Sequence, residues 1–185
     1  MHITDDLLDN RVISALQAGD SVVARTDTIY GVLALATAPE AMQRLYRIKQ
    51  RDAPKSCIIL TAPAASIPGL TANQLRRYDE LNQTRPTTVI TEAATTLPHL
   101  PHQQGTLAFR AVPPDTPLAQ LIQQVGPLLA PSANPAGQPP ARTVRQALDY
   151  FGDSISVYVD GGTVTDAAPS RIIRFDGNDI ITVRD

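Results

Sequence analysis

The sequence predicts an α/β fold of the α+β type: a single domain over residues 1–185 in which a twisted mixed β-sheet is flanked by helices. Short apolar runs typical of buried strands alternate with segments whose apolar residues recur at helical spacing. Several connections between apolar runs are too short to hold a crossover helix, so some neighbouring strands must be antiparallel. A chain of 185 residues is typical of one domain, and no internal repeat or low-complexity linker marks a boundary.

The first two helices have the clearest sequence signals. Apolar residues recur at helical spacing up to Leu16, and Gly19 then predicts the end of a helix over residues 5–18. Pro39 favours a helix start, which predicts a second helix over residues 37–49. Further helices are predicted over residues 72–81, 116–124 and 143–150. Strands are predicted over residues 21–24, 29–36, 56–60, 87–90, 106–110, 128–130, 155–159, 172–175 and 180–183.

Composition excludes several classes of protein. Hydrophobic residues make up 43% and charged residues 18% of the chain, which excludes a disordered protein. The apolar runs are too short to cross a membrane and the acidic N-terminal residues are unlike a signal peptide, so a cytoplasmic protein is expected. A formal net charge of -2 argues against a protein that coats nucleic acid by bulk attraction.

The sequence lacks the motifs of several common enzyme classes. No glycine precedes a lysine, so a Walker A phosphate loop is excluded. His99 and His102 have no acidic or thiolate residue near them in the sequence, and no metal site is predicted. No Gly-x-Ser-x-Gly elbow supports a serine hydrolase, and Cys57, the single cysteine, cannot form an internal disulfide. Both lysines, Lys49 and Lys55, fall in one short stretch, which concentrates positive charge there.

Four short segments carry a stronger signal together than any of them does alone. They are Thr26-Asp27-Thr28-Ile29-Tyr30-Gly31, Lys49-Gln50-Arg51 with Lys55, Pro131-Ser132-Ala133-Asn134 with Gly137, and Asp160-Gly161-Gly162 followed by Pro169-Ser170. In order and spacing they resemble the YrdC/TsaC-like family of threonylcarbamoyl-AMP synthases over nearly the whole chain. The resemblance implies a nucleotidyltransferase with a YrdC-like domain and a concave basic cleft. Its expected reaction joins L-threonine, bicarbonate and ATP, releases pyrophosphate and supplies tRNA modification.

The resemblance also implies roles for individual residues. The expected catalytic residues are Lys49 and Arg51. The expected L-threonine contacts are Thr28, Arg110, Ser132 and Ser170, with Arg110 on the carboxylate. The expected ATP contacts are Arg51, Lys55, Thr106, Asn134, Arg142 and Arg184. Mg²⁺ is expected to enter with ATP rather than to occupy a dedicated protein site. A separate threonylcarbamoyl transferase complex is the expected recipient of the intermediate, and direct binding of tRNA stays open.

These residue types suit the chemistry of such a reaction. Attack of an N-carboxylated threonine on the α-phosphate gathers a carboxylate, a carbamate and a triphosphate, so the site needs several positive groups and amide donors. Lysine acts as a point charge and arginine as a bidentate fork, and Lys49, Arg51 and Lys55 combine the two. Ser132 and Asn134 follow a predicted strand, where small polar groups can face a ligand.

Some positions depart from the family pattern. Arg25 stands where the family usually has proline, so the shape of the following loop is expected to differ. Leu60 lies near a position where some members have a ligand-facing histidine, and Arg171 stands where the family usually has threonine. These two changes leave open a paralogue that keeps the ATP pocket and acts on another amine.

A second alternative is a tRNA- or RNA-binding module on the same fold without catalysis. Its basic groove would be formed by Arg44, Arg47, Lys49 and Arg51. Aromatic residues make up only 4% of the chain, which leaves few stacking platforms for unpaired bases.

Overall fold

Ten strands form one continuous sheet in the computed structural model, which describes residues 1–50, 56–165 and 168–185. The strands are β1 (His2–Thr4), β2 (Val22–Arg25), β3 (Tyr30–Leu35), β4 (Ile58–Thr61), β5 (Thr87–Thr91), β6 (Leu107–Ala111), β7 (Leu128–Leu129), β8 (Val157–Val159), β9 (Arg171–Asp176) and β10 (Asp179–Arg184). Their order across the sheet is β1-β8-β2-β3-β7-β4-β6-β5-β9-β10. Parallel pairs are β1/β8, β2/β8, β4/β6 and β5/β9, and the remaining neighbours are antiparallel. The predicted mixed sheet is therefore confirmed.

Helices flank this sheet on both faces. The α-helices of the described residues are α1 (Asn10–Gln17), α2 (Pro39–Ile48), α3 (Ala72–Thr84), α4 (Pro117–Val125) and α5 (Val144–Phe151), with short 3-10 helices at Ala64–Ser66, Ala94–Thr96 and Gly152–Ser154. The prediction that the first helix starts at residue 5 was wrong. It begins at Asn10 because the side chain of Asp9 accepts a hydrogen bond from the backbone N–H of Arg11 at 2.8 Å and caps the helix. None of the helices in the described ranges has the length and apolarity needed to span a membrane.

Two apolar layers hold the helices against the central strands. Successive residues of a strand face opposite sides of the sheet, so Val22 and Leu33 pack with α1 and α4 while Val23 and Val32 pack with α2 and α5. The central strands are therefore buried on both faces. Beyond them, β4, β6, β5 and β9 leave one face only half-buried around Ile58, and this more open face borders the polar cavity described next.

Candidate active-site cavity

A cavity of about 350 Å³ opens where the β2–β3 loop meets the β7–α5 connection and the segment before β9. This volume lies at the small end of the range for ligand pockets, about 300 to 1,000 Å³. All four side chains expected to contact L-threonine line it: Thr28, Arg110, Ser132 and Ser170. The fold brings these residues together from four separate parts of the sequence. Arg184, an expected ATP contact, lines the same cavity.

The β2–β3 loop is a tight turn organised by one hydroxyl. Oγ1 of Thr26 donates to the carbonyl of Ile29 at 2.8 Å and accepts from the backbone N–H groups of Thr28 and Ile29 at 3.2 and 3.3 Å. A threonine that bonds to backbone two and three residues ahead fixes such a turn. The turn presents Thr28 to the cavity and holds Asp27 beside Arg110.

Arg110 is a buried cation in the cavity wall. Its Nη2 donates to Oδ1 of Asp27 at 2.8 Å and to Oγ1 of Thr28 at 3.3 Å. The side chains of Arg110 and Asp27 are only 5% and 8% exposed. An arginine this deeply buried needs a paired anion, and Asp27 supplies it.

Ser132 lies on a segment that runs along the start of β3. The backbone N–H of Val32 donates to the carbonyl of Pro131 at 2.9 Å. The backbone N–H of Ala133 donates to the backbone carbonyl of Tyr30 at 2.8 Å. Gly31 allows this close approach, since a Cβ there would lie 3.3 Å from the Pro131 oxygen. Ser132 is thereby held at the cavity.

Lys49 faces the interior and holds this segment from behind. Its side chain is among the fully buried ones, and Nζ donates to the carbonyl oxygen of Ser132 and, at 2.7 Å, to that of Asn134. In addition, the backbone N–H of Ala136 donates to the Lys49 carbonyl at 3.1 Å. Lys49 does not belong to the described lining of the cavity, and its described ammonium contacts are with the backbone that carries Ser132 and Asn134.

Ser170 and Arg184 form the opposite wall. The hydroxyl of Ser170 lies 2.8 Å from Oγ1 of Thr88, and both residues are buried. Nη2 of Arg184 donates to the Ser170 carbonyl at 2.7 Å, which ties the end of β10 to the cavity. Sequence reasoning missed Thr88, because a strand threonine gives no signal of its partner.

Tyr30 closes the loop region against the segment after β8. Its hydroxyl donates to the carbonyl of Gly162 at 2.8 Å and accepts from the N–H of Gly161 at 2.9 Å. Burial raises the pKa of the Tyr30 phenol, so the hydroxyl keeps its donor proton further into the alkaline range than an ordinary tyrosine does. Gly161 is required here, because a Cβ would lie 2.6 Å from Cβ of Arg25.

The other expected ATP contacts are more scattered. Asn134 adjoins the cavity, since its Oδ1 accepts from the Ser132 hydroxyl at 2.6 Å. Arg142 lines an adjacent depression and donates to the carbonyls of Val164 and Thr165. Thr106 lies in a separate cleft of about 350 Å³ with Arg174. Arg51 and Lys55 lie outside the described residues.

One of the departures from the family pattern, Leu60, lies in the apolar core. Leu60 is buried among the apolar residues that pack on α1 and α4, so it does not line the cavity.

The predicted basic RNA groove was wrong about Lys49, which is 1% exposed. Arg44 of that groove forms an ion pair with Asp20. Within the described ranges, no three His, Cys, Asp or Glu side chains form a cluster able to hold a metal ion.

The cavity is suited to a small ligand that carries a carboxylate or phosphate. Arg110 and Arg184 are the charged residues of its described lining, and the hydroxyls of Thr28, Ser132 and Ser170 add groups that can donate or accept. The fold and this cavity define the class of protein: an α/β domain with a polar, positively charged cavity between a loop and the ends of several strands.

The family follows from comparison with known proteins. The Sua5/YciO/YrdC family model, described as telomere recombination, matches residues 14–185, and the chain belongs to this family. The family expected from the four sequence segments is therefore confirmed. Among curated relatives, the threonylcarbamoyl-AMP synthase of Vibrio campbellii is 31% identical over 180 residues, covering 89% of this chain and 96% of that protein.

Solved structures share the fold. The crystal structure of P. abyssi Sua5 complexed with L-threonine superposes with a TM-score of 0.84 at 22% identity, over 100% of this chain and 57% of that one. The crystal structure of E. coli YciO superposes with a TM-score of 0.78 at 18% identity, over 99% of this chain and 92% of that one. At these identities the likeness supports the fold alone.

Proposed function

We propose that this protein is a threonylcarbamoyl-AMP synthase, which condenses L-threonine, bicarbonate and ATP and releases pyrophosphate. The observation that carries the proposal is the convergence of Thr28, Arg110, Ser132 and Ser170 on one cavity. Relatives that cover most of the chain are named for this activity, which supports the same assignment.

The polar groups of this cavity match those of an amino acid substrate. Arg110 offers a buried guanidinium to the threonine carboxylate, and a charge-assisted pair of this kind is among the stronger polar contacts. The hydroxyls of Thr28, Ser132 and Ser170 are available to the threonine hydroxyl and amine. The amine combines with bicarbonate to give a carbamate and water.

ATP fits along the half-buried face of the sheet. Thr106 directly precedes β6, and Arg110 lies four residues further along on the same side, which separates their Cα atoms by roughly 13 Å. A nucleotide laid along this face would place its phosphates near Arg184 and its base toward the cleft at Thr106. The carbamate oxygen then attacks the α-phosphorus, and the bond to pyrophosphate breaks.

Mg²⁺ belongs to the nucleotide substrate in this proposal. Carboxylates are the usual protein ligands of Mg²⁺, and the described lining of the cavity contains none. Asp27, the adjacent carboxylate, is paired with Arg110. The phosphates of ATP therefore hold the ion. The unstable product would pass to a threonylcarbamoyl transferase complex that modifies tRNA.

The test is pyrophosphate release from ATP and Mg²⁺, with L-threonine and bicarbonate supplied separately and together. We expect release only when both are present, because the attacking group is the carbamate that they form. A panel of other amino acids in the same assay tests the specificity for threonine. Release without threonine, or a clear preference for another amine, would contradict the proposal.

A further inference from the structure

The Arg110 guanidinium is held by a carboxylate that does not occupy the candidate active-site cavity. Asp27 contacts Arg110 at 2.8 Å, yet Asp27 lines a different cavity of about 410 Å³, which lies behind the β2–β3 loop beside the start of α4. Arg110 lines the candidate active-site cavity. The ion pair thus stands between two cavities, with the carboxylate on the far side.

The position of Asp27 is fixed by its neighbours rather than by a long flexible side chain. The turn centred on Thr26 is closed by a hydrogen bond from the Thr26 backbone N–H to the Ile29 carbonyl at 2.9 Å, in addition to the hydroxyl contacts described above. An aspartate has a short side chain with little freedom, so the turn determines where its carboxylate lies. Asp27 therefore gives Arg110 a rigid anchor.

Arg110 retains hydrogen-bonding capacity that the described residues do not use. Its Nη2 is shared by Asp27 and Thr28, while its Nε is buried and has no hydrogen-bond partner among the described residues. A buried N–H group without a partner is costly, and a functional role is one of the reasons such groups persist. Arg110 lines the cavity, so a ligand carboxylate there would add a second anion beside the buried guanidinium.

We infer that Asp27 is a positioning residue for carboxylate recognition. It holds the Arg110 guanidinium from behind, so that the remaining N–H groups are presented to the carboxylate of the amino acid substrate. The identity of that ligand as L-threonine rests on the proposed function. Without Asp27 the guanidinium loses its anchor, and the selectivity of the cavity for a carboxylate falls.

Calorimetric titration with two ligands tests this inference without requiring turnover. L-Threonine carries the carboxylate, and L-threonine amide replaces it with a neutral group of similar size. The wild-type protein should prefer threonine by about tenfold or more, as expected for a hydrogen bond to a charged group. Asp27→Ala should weaken threonine binding by about tenfold and leave amide binding nearly unchanged. Asp27→Asn keeps an oxygen acceptor, so its affinity for threonine should lie between those of the wild type and Asp27→Ala.

Asp20→Asn provides the matched control, because Asp20 also pairs with an arginine, Arg44, but at a more exposed position away from the cavity. It should bind both ligands like the wild type. Thermal melting establishes that each variant is folded. If Asp27→Ala does not fold, the threonine affinity of Asp27→Asn tests the role of Asp27. Unchanged threonine affinity in a folded Asp27 variant would overturn the inference. An equal loss of both ligands would also overturn it, since that result indicates a general structural role.

Failure of the proposed function gives a different pattern. A wild-type protein that prefers threonine over its amide but releases no pyrophosphate would contradict the synthase proposal, and the ratio of the two affinities in the variants would still decide the role of Asp27. A wild-type protein that binds both ligands equally would overturn the role of Asp27 whatever the catalytic result.

Discussion

Replacement of Lys49 by methionine should reduce pyrophosphate release by about a hundredfold or more, because two charge-assisted hydrogen bonds are lost at about 1.5 to 3 kcal/mol each. Those bonds reach the carbonyl oxygens of Ser132 and Asn134. Methionine has a similar length and no donor, so the packing is largely kept while both carbonyls lose this partner. Steady-state kinetics measure the loss of pyrophosphate release. Urea unfolding measures the accompanying change in the free energy of unfolding.

The same variant distinguishes a loop-holding role from a direct contact with phosphate. If Lys49 acts through the segment 131–134, its loss should weaken threonine binding in the absence of ATP and also raise the KM for ATP. Arg47→Met is the matched control, since Arg47 lies in the last turn of α2, two residues before Lys49, and is exposed. Unchanged threonine affinity in a folded Lys49→Met protein would contradict this account of Lys49.

Replacement of Arg110 by alanine should abolish threonine binding and lower the free energy of unfolding by about 3 to 5 kcal/mol, since it leaves a buried charge without its partner. That charge is the Asp27 carboxylate, which is 8% exposed. Arg110→Lys keeps the positive charge but loses the fork, and threonine affinity should fall by roughly tenfold or more. Calorimetric titration and urea unfolding provide both readouts.

A double variant separates binding from stability at this pair. Adding Asp27→Asn to Arg110→Ala removes the uncompensated charge, so part of the lost stability should return while threonine binding stays absent. Arg44→Ala, which breaks the exposed pair with Asp20, should cost less than about 1 kcal/mol and leave binding unchanged. Threonine binding that survives in Arg110→Ala would show that the carboxylate is recognised elsewhere.

Apolar patterns predicted most of the strands, and the short connections predicted the mixed character of the sheet. The patterns failed where local signals were weak. The short strand β1 was missed because three residues, His2–Thr4, carry no repeating pattern, and its partner β8 lies at the other end of the chain. The first helix was predicted five residues early because Leu7 and Leu8 continue its apolar pattern, whereas the cap at Asp9 decides its start.

The residues of the candidate site required a different kind of information. Thr28, Arg110, Ser132 and Ser170 were proposed together through resemblance to a family, because nothing in periodicity relates a loop, a strand and two connecting segments. The inward orientation of Lys49 could not be predicted, since it depends on two carbonyl groups more than eighty residues away in the chain. The partner of Arg110 was equally hidden, because Asp27 reads in the sequence as part of a turn.

The most direct test of the synthase proposal is identification of the product. The protein is incubated with ATP, Mg²⁺, L-threonine and isotopically labelled bicarbonate, and the adenylates are analysed immediately by mass spectrometry. The proposal predicts a threonylcarbamoyl adenylate that carries the bicarbonate label and forms in step with pyrophosphate. The proposal would be contradicted if pyrophosphate is released, the product is AMP from the start of the reaction, and no labelled adenylate is found.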